Sequence, residues 1–179
     1  MEGGESRMED VQGPDRLPEE NEAFERLVNQ HQPALLRYCY LYLRDQEQAR
    51  DAVQETFFKA YRGWRSFRGE SGEKTWLMKI ALRTCHDIRK SAWFRHVDRR
   101  ITPDDLPPAS VPFTAEEESL ITQVMQLPPK LREAVLLYYY QSMNVNEIAE
   151  TLGISHSSVS DRLGRARKKL RAVLEGRDS

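Results

Sequence analysis

Four prolines fall within the thirteen residues ITPDDLPPASVPF (101–113), and no regular helix can cross that stretch. Each proline removes a backbone donor and biases the residue before it toward extended backbone. On both sides apolar residues recur at helical spacing, and no run alternates as a strand would. The expected fold is therefore all-α: two small helical domains joined by a Pro-rich linker, the second carrying a helix-turn-helix. A chain of 179 residues divided this way gives each half a thin core, which helices with one apolar stripe each can close. The expected boundaries are a disordered acidic tail over 1–20, a first domain over 21–98, a linker over 99–113 that keeps the modules apart, and a second domain over 114–176.

In the first half, Phe24, Leu27, Val28, His31, Leu35 and Cys39 trace a helix starting near Glu22, which Pro33 should kink or interrupt. Asp45 with Gln48 reads as a capping box for a second helix ending near Gly63. Trp64 to Lys74 carries two glycines and two serines and reads as a loop, unusual for its two aromatics and two arginines. A third helix, from about Thr75 to Lys90, turns Trp76, Leu77, Ile80, Ala81, Thr84, Cys85 and Ile88 to one side. Trp64, Phe67, Trp76, Trp93 and Phe94 are interleaved with Arg65, Arg68, Lys74, Lys79 and Arg83. Rings that stack on bases, set among cations that meet phosphates, suit single-stranded or opened DNA. Such a loop can also hold a base pulled from the stack. The competing reading makes Phe67 and Trp76 simple core residues, and Trp76 is expected to be so in part.

In the second half, Thr114 with Glu117 reads as a capping box, and Pro128-Pro129 ends one helix and starts the next. Asn144 with Glu147 caps a helix whose apolar side is Ile148, Ala149 and Leu152. Gly153 ends it where a positive φ is easy, Ile154 plugs the turn, and Ser155 caps the last helix. There Val159, Leu163, Ala166 and Leu170 face inward. His156, Ser157, Ser158, Ser160, Asp161, Arg162 and Arg165 are left to the open side or its edges. A first turn this small and polar can enter a major groove about 12 Å wide. Arg162 and Arg165 can reach base edges or phosphates; Lys168, with Arg167, Lys169 and Arg171, suits phosphates or a partner. Asp161 repels phosphate, so it should face a cytosine amino group or an arginine. The plainer alternative is a capped helix pair in an ordinary helical core.

The net charge is only -1, but its distribution is uneven. Residues 59–100 hold twelve bases and four acids, residues 101–126 five acids and no base, and residues 156–171 six bases and one acid. Two basic blocks separated by an acidic one suggest two polyanion contacts, although charge runs also arise as solvated helix faces. Cys39 and Cys85 sit in apolar helical contexts and read as small buried hydrophobes in a reducing compartment. His31, His86, His96 and His156 do not cluster with them in sequence, so neither metal nor cofactor is implied. The acidic start lacks an apolar run, no stretch is long enough to cross a membrane, and a cytoplasmic location is expected. No nucleophile, base and acid set stands out; His86 and Asp87 are adjacent on a helix and cannot face each other, so no enzymatic activity is expected.

DAVQETFFKAYRGWRSFRGESGEKTWLMKIALRTCHDIRK resembles the second conserved region of bacterial sigma factors of the extracytoplasmic function (ECF) group, and LPPKLREAVLLYYYQSMNVNEIAETLGISHSSVSDRLGRARKKLR resembles their fourth. The resemblance implies a sigma factor that binds core RNA polymerase, reads -10 and -35 promoter elements and helps melt DNA. By position it implies that Asp51, Gln54, Glu55 and Phe58 dock on the clamp helices of the largest polymerase subunit. It implies that Ser66, Phe67, Arg68, Gly69, Glu70, Lys74, Trp76, Lys79 and Arg83 serve the -10 element and melting. Residues Ser155 to Arg165, with Lys168, match the -35 recognition helix. It further implies a contact to the flap of the second-largest subunit, a linker threading toward the RNA exit path, and an anti-sigma partner. Glu73-Lys74 after Gly72, and Asp161, depart from the usual family pattern. A stand-alone helix-turn-helix regulator is the rival reading, and it leaves Asp51 to Arg89 without a role.

Overall fold

The computed structural model describes residues 18–91 and 115–175, all helix and short turns. The 92–114 segment, with Trp93, Phe94, the linker and the Thr114 cap, lies outside the described residues, as do residues 1–17 and 176–179. Helix α1 (Pro18–Leu43) packs against α2 (Gln46–Gly63) and α3 (Glu73–Lys90), which pack on each other. Then come α4 (Ala115–Met125), α5 (Pro129–Val135), a π-helical turn (Leu136–Tyr140), α6 (Val145–Leu152) and α7 (His156–Glu175). Two helical subdomains result, as expected.

Local chemistry sets the boundaries. The α1 helix starts at Pro18, earlier than Glu22, so residues 18–20 are helical rather than tail; proline suits a first turn. It also continues past Pro33, so of the two expected outcomes the interruption does not occur. Pro33 and Asn29 are both exposed, so the carbonyl left without a helical donor can turn to water. Asp45 accepts from the Gln48 amide at 3.0 Å and caps α2, but only this half of the expected box forms, since Gln48 Oε1 accepts no hydrogen bond. Pro129 opens α5, and Asn144 and Glu147 form a reciprocal capping box on α6. Gly153 closes α6 at φ 65°, the left-handed region that a side chain would strain.

The α3 helix has two apolar stripes, where one was expected. Leu77, Ala81, Thr84 and Cys85 are buried in the first bundle. Met78 and Leu82 are buried too, and they lie on the line Lys74, Met78, Leu82, His86, spaced four apart. Both ends of that line bond to the second half: Lys74 donates to the Gln141 carbonyl and His86 meets Glu133. This stripe is thus the face α3 turns to α6, and the two subdomains pack together instead of being held apart. For the same reason the end of α1 is buried all round, from Tyr38 to Leu43.

Candidate nucleic-acid interface

The helix-turn-helix forms as its sequence requires. Ile148 and Ala149 of α6 meet Val159, Leu163 and Ala166 of α7 in one buried layer. The Ser155 hydroxyl accepts from the Ser158 amide at 3.2 Å and contacts the Ser157 and Ser158 hydroxyls at 3.0 and 2.8 Å. The outer side of α7 exposes His156, Ser157, Ser160, Asp161, Arg165 and Lys168, with Ser158 half-buried at its edge. Asp161 takes the second of its two expected partners: its carboxylate lies 3.6 Å from Arg165, one turn on, and both side chains are about two-thirds exposed. An open groove of about 810 Å³ runs between the start of α5 and this face, lined by Lys130, Ser157, Asp161 and Arg165 among others.

Arg162 also lines this groove, at the edge of the face. Its side chain is only 19% exposed and lies 3.9 Å from Glu133, a residue with no assigned role in the sequence reading. Glu133 is buried between the two halves, where one carboxylate oxygen accepts from the Tyr42 hydroxyl and from His86 Nε2, each at 2.8 Å. Burial alone would raise this carboxyl, but those hydrogen bonds and the charges of His86 and Arg162 outweigh it and hold it below the usual range. Burial and the adjacent carboxylate push the Tyr42 hydroxyl well up, so it stays a donor. Nothing in LREAVLL marks Glu133 in advance, because its partners come from residues 42 and 86.

The aromatic loop is also built, in a different way. Trp64–Ser66 forms one 3-10 turn, and α3 begins at Glu73, before Thr75. The Phe67 ring lies 4.7 Å from that of Trp76 and 5.7 Å from that of Trp64, which in turn meets Phe24. Phe67 and Trp76 are half-buried, so the two readings of these rings are combined: they pack on each other and keep an outer edge. Ser66, Arg68, Gly69 and Glu70 are exposed in the loop and Arg83 is exposed further along α3, Lys79 is half-buried, and Lys74 is drawn to Gln141.

On α2, Asp51, Gln54, Glu55 and Phe58 form one exposed stripe. Phe58 is 57% exposed, with Arg62 over its ring, and Glu55 lies 3.4 Å from Lys59. The sequence reading also missed the Tyr138–Tyr140 fan. The π turn aims Tyr138 and Tyr139 at Arg167 and Tyr140 at Arg37 of α1. The cysteines meet in the core with sulfurs 3.7 Å apart.

A capped helix-turn-helix with an exposed polar and basic face, joined to a helical module bearing an aromatic-basic loop, defines a two-part DNA-binding protein. The Sigma-70 region 2 family matches residues 27–95, and Sigma-70 region 4 matches residues 117–170. The ECF RNA polymerase sigma factor SigM of Mycobacterium tuberculosis is 30% identical over 154 residues, covering 85% of this chain and 77% of the relative. The structure of CnrH in complex with the cytosolic domain of CnrY aligns over 87% of this chain and 90% of that one, with TM-score 0.66 and 26% identity. The sigma factor RpoE in complex with the anti-sigma factor NepR from Bartonella quintana shares the fold, with TM-score 0.73 over 86% of this chain and 98% of that one at 23% identity. The chain belongs to the sigma-70 family, in its ECF group. It is a sigma factor: it directs RNA polymerase to promoters and is not an enzyme. The rival reading as a stand-alone regulator gives way, since the family match spans both halves. Among the described residues no helix is long and apolar enough to cross a membrane.

Proposed function

We propose that the work is divided by element. The α2 stripe of Asp51, Gln54, Glu55 and Phe58 docks on the clamp helices of the largest polymerase subunit. Its acids face a basic partner, and its phenyl ring buries apolar area. The observation that carries this reading is Phe58, a ring left 57% exposed one turn from Glu55, with Arg62 over it, on a helix whose other face is core. The loop from Ser66 to Lys74, with Trp76, Lys79 and Arg83, captures and holds the opened -10 strand. Ser155, His156, Ser157, Ser158, Ser160, Asp161, Arg165 and Lys168 of α7 read the -35 duplex, with Arg162 joining them in the bound state. The second half also meets the flap of the second-largest subunit. An anti-sigma factor restrains the protein, a reading supported by the RpoE relative from Bartonella quintana, whose structure is of its complex with the anti-sigma factor NepR.

The test is transcription by core polymerase on a genomic fragment library, with start sites read with and without this protein. New starts sharing two elements are expected. Phe58→Ala should reduce core binding by roughly tenfold, the loss of a buried aromatic anchor. Tight sequence-specific duplex binding by the protein alone, with no new start sites, would overturn the reading.

A further inference from the structure

We infer that Cys39 and Cys85 form a reversible disulfide site: peroxide joins them, and the bond staples α1 to α3 without disturbing the side of α3 that carries Trp76, Lys79 and Arg83. The chain has two cysteines, and the fold brings both to one point although 46 residues separate them. Both are free and fully buried, Cys85 donates its thiol proton to Cys39 Sγ, and the sulfurs are 3.7 Å apart. A disulfide bond is about 2.0 Å long, so the sulfurs must close by roughly 1.7 Å. With no third cysteine in the chain, neither thiol has another intramolecular partner. A thiol is a weak donor and a weak acceptor, so two sulfurs face to face add little as a polar contact. What they add is the chemistry of sulfur.

Three successive residues of α3 serve three different neighbours. Thr84 accepts from Lys59 of α2, Cys85 meets Cys39 of α1, and His86 meets Glu133 of α5. Trp76, Lys79 and Arg83 stand nine, six and two residues before Cys85. At about 100° per residue that puts them on the other side of the helix. The importance of that side rests on the -10 role proposed above; the crosslink itself does not.

The step balances with hydrogen peroxide as the oxidant. One thiolate attacks a peroxide oxygen, the O–O bond breaks, and a sulfenic acid and water result. The second sulfur attacks the sulfenyl sulfur, the S–O bond breaks, and the thiol proton leaves with the hydroxide as a second water. Two electrons pass from the sulfurs to the peroxide. A small thiol reverses the product by exchange. The hydrogen bond to Cys39, together with burial, holds the Cys85 thiol well above its ordinary range, so the closed bundle protects the pair. Reaction therefore waits on local opening of the bundle. Conditions that loosen the fold and supply oxidant together fill the site, and the bond then resists further opening.

The test uses the full chain, oxidised with a stoichiometric amount of hydrogen peroxide in urea just below the unfolding midpoint and returned to buffer. The expected product is a monomer lighter by two hydrogens, with a peptide map joining Cys39 to Cys85. Its thermal midpoint should rise by roughly 10 °C, the scale for closing a loop of this length in a chain of this size. A reductant should return it to the starting value. Helix content by circular dichroism, and start sites and transcript yield with core polymerase, should match those of the reduced protein. Cys39→Ala and Cys85→Ala, treated alike, should form no intramolecular bond and show no rise. If neither variant folds, the wild-type chain decides alone, since the mass, the peptide map and the reversible shift need no variant. Thiols that survive the treatment overturn the inference, as do sulfinic acid or intermolecular dimers in place of the crosslink. So does a midpoint that stays or falls, or a change in start sites or yield once the bond has formed. Mass and midpoint need neither DNA nor polymerase, so failure of the staple is distinguishable from failure of the proposed reading roles.

Discussion

The two proposed DNA sites are held in contrasting ways. The α7 face is fixed by its backbone: the Gly153 turn, the Ser155 cap and a buried layer through Ile148 and Val159 leave the helix one position. The loop after α2 is fixed by rings. Phe67 rests on Trp76 and Trp64, and around it lie local bonds, Phe67 N–H to the Trp64 carbonyl and the Ser66 hydroxyl to the Gly63 carbonyl, with Arg65 tied to Glu20 of α1 at 3.2 Å. Gly69, at φ 72°, lets the chain turn away beyond them. The difference matches the targets. A major groove is a fixed shape and rewards a preorganised helix. A flipped base arrives by leaving one stack, and a platform of rings offers it another.

The strongest way to break this contrast is to remove the backbone-set rigidity of the reader. Ile148→Ala empties a fully buried site between α6 and α7. It should cost about 2–5 kcal/mol in urea unfolding and abolish -35 duplex binding by the polymerase complex. A loss under about 1 kcal/mol would mean the layer can collapse around the gap and that α7 is less rigidly held.

Phe67→Ala comes next. It leaves Trp76 and Trp64 to close on each other and takes away one stacking surface. Base stacking is worth about 1–3 kcal/mol, so open-complex formation should fall roughly ten- to a hundredfold, read by permanganate reactivity. Binding of a -35 duplex probe should hold. Equal losses in both assays would show that the loop supports the fold and not the strand.

How much of this was legible follows the range of the interactions. Caps and turns are local, so Asn144 with Glu147, Asp45, Ser155 and Gly153 can be read from adjacent letters, and the structure bears them out. The inward stripe of α7 is likewise set by spacing alone. The junction is not local. Glu133 finds Tyr42 across 91 residues and His86 across 47, and no window of sequence holds both. Met78 and Leu82 were visible as apolar letters, yet a one-stripe view of α3 had no use for them. A proline-rich linker suggested separation, but a linker limits reach and does not forbid contact between what it joins. Pro33 shows the same limit: proline disfavours a helix interior, and an exposed one beside water is tolerated.

A smaller effect sharpens the contrast. Asn144→Ala removes one side of the α6 capping box, leaving the Glu147 amide without its 3.0 Å acceptor. The expected loss is about 1 kcal/mol in thermal or urea unfolding. The loop should be untouched, so permanganate reactivity at saturating protein should not change. A matching drop there would mean that the two sites are stabilised as one body.

The smallest effect on stability falls on the residue with most to say about specificity. Asp161 and Arg165 are an exposed pair one turn apart, and such pairs contribute about 0.3–0.5 kcal/mol. Asp161→Asn should therefore leave the unfolding curve almost unmoved. Its consequence lies in aim. With its carboxylate partner gone, Arg165 is free to swing toward phosphates, which carry no sequence information. A base contact set by that arginine is worth about 1–3 kcal/mol of discrimination. The variant should thus bind non-specific duplex more tightly, with a steeper salt dependence, while preference at one position of the upstream element flattens. Selection from a randomised upstream element by the polymerase complex would show it. An unchanged preference, with only the non-specific gain, would reduce Asp161 to a surface charge and leave Ser157, Ser160 and Arg165 to read without its guidance.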